Sequence, residues 1–441
     1  MNSQDSDSSS EDGYDEPGGG SGAGGGGEDS GGAGGGAAGH EDNPFEDDSV
    51  EEDFDISLAA THSYMGPGLV AVRGRSVLEA GWEGCVPVVA HHGCVFPGEI
   101  VPMLLPDAHD SAVLTRAIKQ DKLFGLLCPD ESGTIVSGYG VLCEVFEAAP
   151  GGDDAAALTF KARATHRFRL KEMPKRAVPI HIFSRMLVIE VVVLPEVQLC
   201  EPLRRARLAS LDSRRRTHKQ LDTRLRSMDA AVTPWPLFVY DIFDYSRMRD
   251  VIREYFKTMM LDKLPEDPVS LSFWVASNLA LSARDRIALF VVDDALLRLH
   301  MEVRLIGRKS VLCCAACARE IARREHIFAM SSEGVHSNYT NLGGYMHDLV
   351  TVSSAGSTQL SGAPSAEYSW FPGYTWTIAL CAGCSAHVGW RFDAQKRGLR
   401  PQQFYGLCRN YVQPRYTAAG GAGGERGASP PPDAAVLRAR R

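Results

Sequence analysis

Short runs of alternating or β-branched residues fill the chain between Trp82 and about Leu199: CVPVVA, CVFPGEIVPMLL, LFGLLC, GYGVLCEVFEA, ALTFKARATHRFRL and RMLVIEVVVL, each bounded by turn residues. A two-residue period of this kind marks half-buried strands, so the segment reads as a β-rich module. SAVLTRAIKQ interrupts it with helical spacing. The character changes at Pro202, and residues 204 to 226 carry nine Arg and Lys against Asp212 and Asp222, which reads as a helix-rich insertion. The clearest helical period lies at 246 to 261. There Met248, Val251, Ile252, Tyr255, Phe256, Met259 and Met260 form one broad apolar face. Another helix is expected to start at SARD, with Ser282 at the cap and Asp285 at the third helical position, and to run unbroken to Gly307. Residues 308 to about 416 return to β-rich patterning. The expected fold class is therefore α+β, a β-rich domain with helices followed by an all-β domain.

Composition refines this picture at the ends. With 441 residues and 44% hydrophobic content, the chain supports two or three cores at about 150 residues per domain. Residues 1 to 56 hold 17 Asp and Glu and no Lys or Arg, so the remainder sets 46 basic against 38 acidic residues, a net +8 within a whole-chain net of −9. The acidic tail also carries GGGSGAGGGG and GGAGGGAAG, and its low hydrophobicity predicts disorder over 1–56. AAGGAGGERGASPPPDAAV predicts a second flexible tail over 417–441. The longest apolar stretch, MLVIEVVVLPEVQLC, is interrupted by Glu190 and Pro195, and no basic-then-apolar leader opens the sequence. A protein neither secreted nor membrane-spanning is the expectation. Eleven cysteines, an odd number, then point to a reducing compartment, cytosol or nucleus. The basic run lacks interleaved aromatics, so no nucleic-acid partner is expected.

Two pairs of cysteines carry the strongest chemical signal. Cys314-Ala-Ala-Cys317 and Cys381-Ala-Gly-Cys384 are knuckles that each present two thiolates from one tight turn. Four thiolates close a tetrahedral zinc site with no position left for water, so one structural zinc is expected. Beside the second knuckle, YSWFPGYTWTIALCAGC and Trp390 place three of the six tryptophans within 21 residues. Alternation puts Tyr374, Trp376, Ile378 and Leu380 on one strand face, with Trp370 across the Pro-Gly turn and Trp390 and Phe392 beside Trp376 after the knuckle. This permits a three-sided aromatic box. The residues alone leave open whether it is core, a cation cage or a slot for a flat neutral ring.

TVSSAGSTQLSGAPSAEYSWFPGYTWTIALCAGCSAHVGWRF, with LCCAAC and NLGGYMHDLVTV before it, resembles the thalidomide-binding (CULT) domain of the cereblon family. FDISLAATHSYMG, VFPGEIVPMLL, ATHRF and LALSARDRIALFVVDDALLRLHMEVRLI are similar, in order, to the rest of that family's ordered chain. The resemblance implies an extended segment at 57–81, a Lon amino-terminal-like domain at 82–307 with a helical insertion at about 196–262, and a CULT domain at 308–416. It implies a structural zinc on Cys314, Cys317, Cys381 and Cys384. It also implies a cyclic-imide pocket walled by Trp370, Trp376 and Trp390 over a Phe392 floor. There the main chain at Tyr368 and Trp370 would pair with the imide, and Asn341 and Tyr345 would lie on the facing loop. Three departures fall at the rim: Tyr368 stands where the family usually has His, Leu342-Gly343 replaces a Pro-His pair, and Ile378 replaces Val.

By the same resemblance the chain is a non-enzymatic substrate-recognition subunit of a cullin-4 RING ubiquitin ligase. Its insertion would dock on the damaged-DNA-binding adaptor protein, its pocket would take glutarimide-type molecules and client proteins with cyclic-imide ends, and its location would be cytoplasmic and nuclear. The chain contains no Gly-Lys dipeptide, which argues against a phosphate-cradling loop of the Lon ATPase kind. The alternative is a zinc-containing methionine sulfoxide reductase using Cys408 in LCRN, although Gly406 occupies the position where that enzyme's motif has Arg.

Overall fold

A computed structural model describes residues 51–74, 76–149, 157–172 and 176–416. Almost all of the tail expected to be disordered at 1–56, and all of that at 417–441, therefore lie outside the described residues. The exception corrects the sequence reading. Glu52–Asp53 pairs in parallel with Leu399–Arg400, and Phe54 is buried edge-on against Tyr374 at 5.5 Å. The segment that follows, expected to be extended, forms the helix Ile56–Ala60, capped by the Asp55 carboxylate accepting the Ser57 N–H.

Five strands close into a barrel: Glu83–Ala90, Leu123–Pro129, Val136–Ala148, Leu158–Leu170 and Leu187–Val193, with the last pairing back to the first. Closure removes both sheet edges of the ring. Phe168 fills the interior, and a Cβ on Gly140 would sit 2.4 Å from both its ring and the Leu126 carbonyl, so only glycine fits at that crossing. Of the predicted run 94–105 only Ile100–Leu105 is a strand. The Glu99 side chain accepts the Phe96 N–H and turns the chain before it. The expected helix at 111–120 begins earlier, at Ala108, because Asp107 caps it.

Helices occupy most of 209–306. The periodic segment forms Tyr245–Lys257, and its apolar face buries Met248, Ile252 and Phe256. Met260, expected on that face, lies beyond the helix at φ 64° and is exposed. The helix expected from Ser282 to Gly307 is two helices, Ala283–Phe290 and Ala295–Ile306. A long-range contact breaks it. Arg167, fully buried, donates from Nη1 to the Phe290 carbonyl at 2.5 Å and from Nη2 to the Asp293 carboxylate at 3.0 Å, while Asp294 caps the second helix. The helix Pro268–Asn278 was not anticipated, because it is buried nearly all round and so lacks an amphipathic period.

The C-terminal domain is all-β. Its main sheet has six antiparallel strands in the order His336–Thr340, Met346–Val352, Gln403–Cys408, His387–Ala394, Tyr374–Cys381 and Thr358–Ser365. A three-stranded sheet of Glu320–Arg323, Ser310–Cys314 and Val412–Tyr416 stands beside it. One face of the large sheet supplies Val350, Val352, Ala379, Val388 and Leu407 to the same hydrophobic cluster as Phe96, Leu279 and Leu299 of the preceding domain. The other face holds a separate, mainly aromatic cluster. The seam between the domains is polar as well. Asn278 Oδ1 accepts the Val335 N–H at 2.8 Å, and a Cβ on Gly334 (φ 141°) would lie 1.9 Å from that oxygen, so glycine is required there.

Candidate functional site

Each knuckle follows the end of a strand, Ser310–Cys314 or Tyr374–Cys381, and the two strand ends bring the four sulfurs within 4.8 Å of one another. The Sγ atoms of Cys314 and Cys384 are 3.7 Å apart, those of Cys317 and Cys381 3.5 Å. These separations are too long for a disulfide. They suit a tetrahedron around an ion with metal–sulfur bonds of about 2.3 Å, whose sulfur–sulfur edge is about 3.8 Å. The Gly383 N–H donates to Cys381 Sγ at 3.4 Å, as knuckle amides do toward thiolates. An all-sulfur donor set of this shape fits a zinc ion, and Cys313 is not part of it.

The aromatic face of the large sheet carries a concavity of about 420 Å³. Cross-strand pairing builds it: Trp376 lies opposite Phe392 and Ile378 opposite Trp390. Gly389 lets the neighbouring strand approach, since a Cβ there would stand 2.1 Å from the Gly406 carbonyl. Trp370 arrives from the turn, stacks on Tyr339 at 5.3 Å and meets Trp390 edge-on at 4.8 Å. Its indole N–H donates to the Thr340 carbonyl at 3.1 Å, and that of Trp376 to the Glu367 carbonyl at 2.8 Å. Phe392 is buried at the base, stacked on Phe404. Trp376 and Trp390 are half-buried, and Trp370 is 6% exposed.

Tyr368 lines this concavity at φ 54°, a left-handed conformation uncommon outside glycine. Its ring packs edge-on against Tyr64 at 5.0 Å, and burial raises its hydroxyl above the usual tyrosine value. Asn341, Leu342, Gly343 and Ile378 complete the rim. Asn341 is fixed by accepting the Tyr345 N–H at 3.0 Å. Tyr345 itself is 65% exposed and lines a neighbouring cavity rather than this one.

Two further residues, one lining the concavity and one behind its wall, are absent from the sequence reading. Glu367 lines it and anchors Trp376. His347 stands behind Trp390 at 5.1 Å, and burial first, then His387 and His92, push its pKa down to about 4, so it is neutral. Cys408, the candidate nucleophile, is 2% exposed, and burial raises its thiol far above the usual range. A nucleophilic cysteine needs the opposite shift.

The insertion is helical, as its composition implied, and two of its arginines, Arg215 and Arg226, are buried in ion pairs. Arg215 pairs with Asp229 at 2.6 Å, and Arg226 pairs with Asp244 at 2.7 Å, Asp241 at 2.9 Å and Glu201 at 3.1 Å. Arg204, Arg205, Arg214, Arg216, Lys219 and Arg224 remain exposed, and beside them the insertion exposes Met228, Val232, Trp235 and Phe238, between 60% and 79% accessible.

Comparison with known proteins adds the following. Residues 86–308 match the model of the ATP-dependent protease La (LON) substrate-binding domain. Residues 310–419 match the model described as Yippee zinc-binding/DNA-binding/Mis18, centromere assembly. The chain is similar to protein cereblon of Drosophila pseudoobscura pseudoobscura, with 33% identity over 369 residues, covering 82% of this chain and 59% of the fly protein. It is also similar to protein cereblon of Danio rerio, 30% identical over 382 residues, 82% of this chain and 88% of the fish protein. For protein cereblon of Gallus gallus the identity is 30% over 387 residues, 83% and 86% of the two chains. The chain thus spans well under two thirds of the fly relative's length and most of the vertebrate ones. No helix among the described residues is long and apolar enough to cross a membrane.

Proposed function

The chain belongs to the cereblon family, and on that premise we propose that it is a non-catalytic substrate receptor of a cullin-4 RING ubiquitin ligase, acting in the cytoplasm and nucleus. The observation that carries this reading is the half-exposed tryptophan concavity. Its indole N–H groups at Trp370 and Trp376 already donate to Thr340 and Glu367 carbonyls. A ligand between the indoles would therefore find its polar partners on the main chain around Tyr368 and Trp370. A flat, neutral ring with one donor flanked by carbonyls, as in a glutarimide or the cyclic-imide end of a client protein, suits such a slot. Dispersion against the indole faces and pairing at low local dielectric would hold it. Phe392 would form the floor, and Asn341 would shape the facing loop.

One zinc on Cys314, Cys317, Cys381 and Cys384 would fix the base of the strands that carry Trp376 and Trp390. The adaptor would dock on the insertion through the exposed Trp235 and Phe238, since an apolar patch with aromatic anchors is how such interfaces gain affinity. The burial of Cys408 argues against sulfoxide reduction. Glutarimide titration followed by tryptophan fluorescence tests the pocket, and micromolar affinity is expected for so small a ligand, given a ceiling of about 1.5 kcal/mol per heavy atom. Absence of quenching in the zinc-loaded protein would refute the pocket assignment. Recovery of the adaptor by wild type but not by W235A/F238A tests the docking surface separately.

A further inference from the structure

A second cavity, about 490 Å³, opens at the seam between the two domains. Residues 92–94, 129–133 and 281–286 wall it on the Lon-like side, residues 345–348 and 408–413 on the other, and it shares only Asn341 with the tryptophan concavity. Two guanidiniums line it, Arg286 at 5% and Arg409 at 6% exposure. Both lean on one carboxylate, Asp348, at 3.2 and 3.1 Å.

Other partners leave donors unused. Arg409 gives Nη2 to the Ser277 carbonyl and Nε to His336 Nδ1, and Arg286 gives Nη2 to the Cys94 carbonyl. Arg409 Nη1 and Arg286 Nε are buried without an acceptor. Such orphaned charged donors are costly, and native structures keep them where something else supplies the acceptor. Glu99, the nearest further carboxyl, spends its oxygens on Phe96, Ser277 and Asn338, and burial raises its pKa, so it compensates the cations poorly. The acids at the mouth are engaged too: Asp130 accepts the Ser132 and Ile135 N–H groups, and Glu131 lies 3.9 Å from Arg284.

We propose that this cavity binds a small oxyanion, a carboxylate or a phosphate group, seated against the Arg409 guanidinium and bridging the two domains. A guanidinium with an unsatisfied N–H is suited to that chemistry, and of the cavity's carboxylates only Asp348 reaches the two arginines.

The test is calorimetric titration of the zinc-loaded full chain with sodium succinate and, separately, with inorganic phosphate, both at constant ionic strength in a chloride background. Saturable binding of at least one is expected, and which one binds identifies the source of the oxyanion. Arg409→Gln should abolish it. Because Arg409 is buried and its loss can disturb folding, His92→Glu provides a second arm: His92 is exposed at the cavity, and a like charge there should weaken binding several-fold. Trp376→Ala should leave it unchanged. No binding of either anion, or binding undiminished in His92→Glu, would overturn the proposal, as would full binding by a folded Arg409→Gln.

Discussion

The insertion and the C-terminal sheet solve the same problem, holding a polypeptide in one arrangement, with opposite means. Apart from Tyr245–Lys257, which packs into the main core, the insertion has a small buried apolar cluster of Leu203, Ala230 and Tyr240, and its helices are joined by the ion pairs of Arg215 and Arg226. The sheet buries aromatics on one face and aliphatics on the other and ends in four converging sulfurs. Buried ion pairs gain little net free energy against desolvation but are costly to break singly, whereas apolar burial scales with area. The insertion is thus held in shape largely by charge pairing, and it leaves Trp235 and Phe238 exposed. The sheet is held by packing on both of its faces.

The largest effect that would test this contrast is metal removal. Structural zinc binding is worth on the order of 10–16 kcal/mol in small domains, so Cys381→Ser should unfold the C-terminal sheet, read by loss of near-ultraviolet tryptophan dichroism and of one zinc per chain. Because that sheet shares a core cluster with Phe96 and Leu279, hydrogen exchange should also rise at the seam while the insertion stays unchanged. Retained dichroism without metal would break the comparison.

Next in size, Arg226→Ala leaves Asp244 and its neighbours facing one another inside the insertion and should cost about 3–5 kcal/mol locally. Faster hydrogen exchange confined to 201–257, with glutarimide affinity untouched, is the expected pattern. A smaller difference separates wall from floor within the pocket. Phe392→Ala, buried, should lose about 3–5 kcal/mol of stability, and Trp390→Ala, half-buried, less than that while still abolishing ligand binding; thermal melts paired with fluorescence titration distinguish them.

The smallest effect concerns burial of charge without a partner. Glu302 is fully buried with both carboxylate oxygens unsatisfied, and burial raises its pKa well above the ordinary value. A raised carboxyl pKa favours the folded state fully below the unfolded value, about 4.3, and that contribution is lost as pH climbs through the folded pKa. Glu302→Gln should therefore flatten the decline of melting temperature on going from pH 5 to alkaline pH. An unchanged slope would show that Glu302 is paired after all.

Much of this architecture was legible in the residues, and what was not has identifiable causes. Alternation marked the barrel strands, the period of 3.6 marked Tyr245–Lys257, and the knuckle spacing marked the sulfur cluster. The break at 291–294 was invisible because the group that enforces it, Arg167, lies over 120 residues away. Pro268–Asn278 escaped because a helix buried on all sides has no polar face to set its phase. The acidic composition around 51–55 hid Phe54, a single aromatic that packs into a cluster formed by residues more than 300 positions later. At the pocket, alternation and the turn placed the tryptophans together, whereas the packing of His347 behind Trp390 is a contact that local patterning does not encode.

The Gly389–Gly406 contact has a bearing on how this pocket can change over generations. Since no side chain fits at Gly389, the spacing of the strands beneath Trp390 is closed to substitution, and Phe392 and Phe404 below are locked by their stacking. Leu342 and Ile378, at the rim, meet no such constraint, since Leu342 is 60% exposed and Ile378 is half-buried. Substitution at the mouth is thereby open where substitution at the base is closed, so the shape of the rim can vary on an unaltered scaffold.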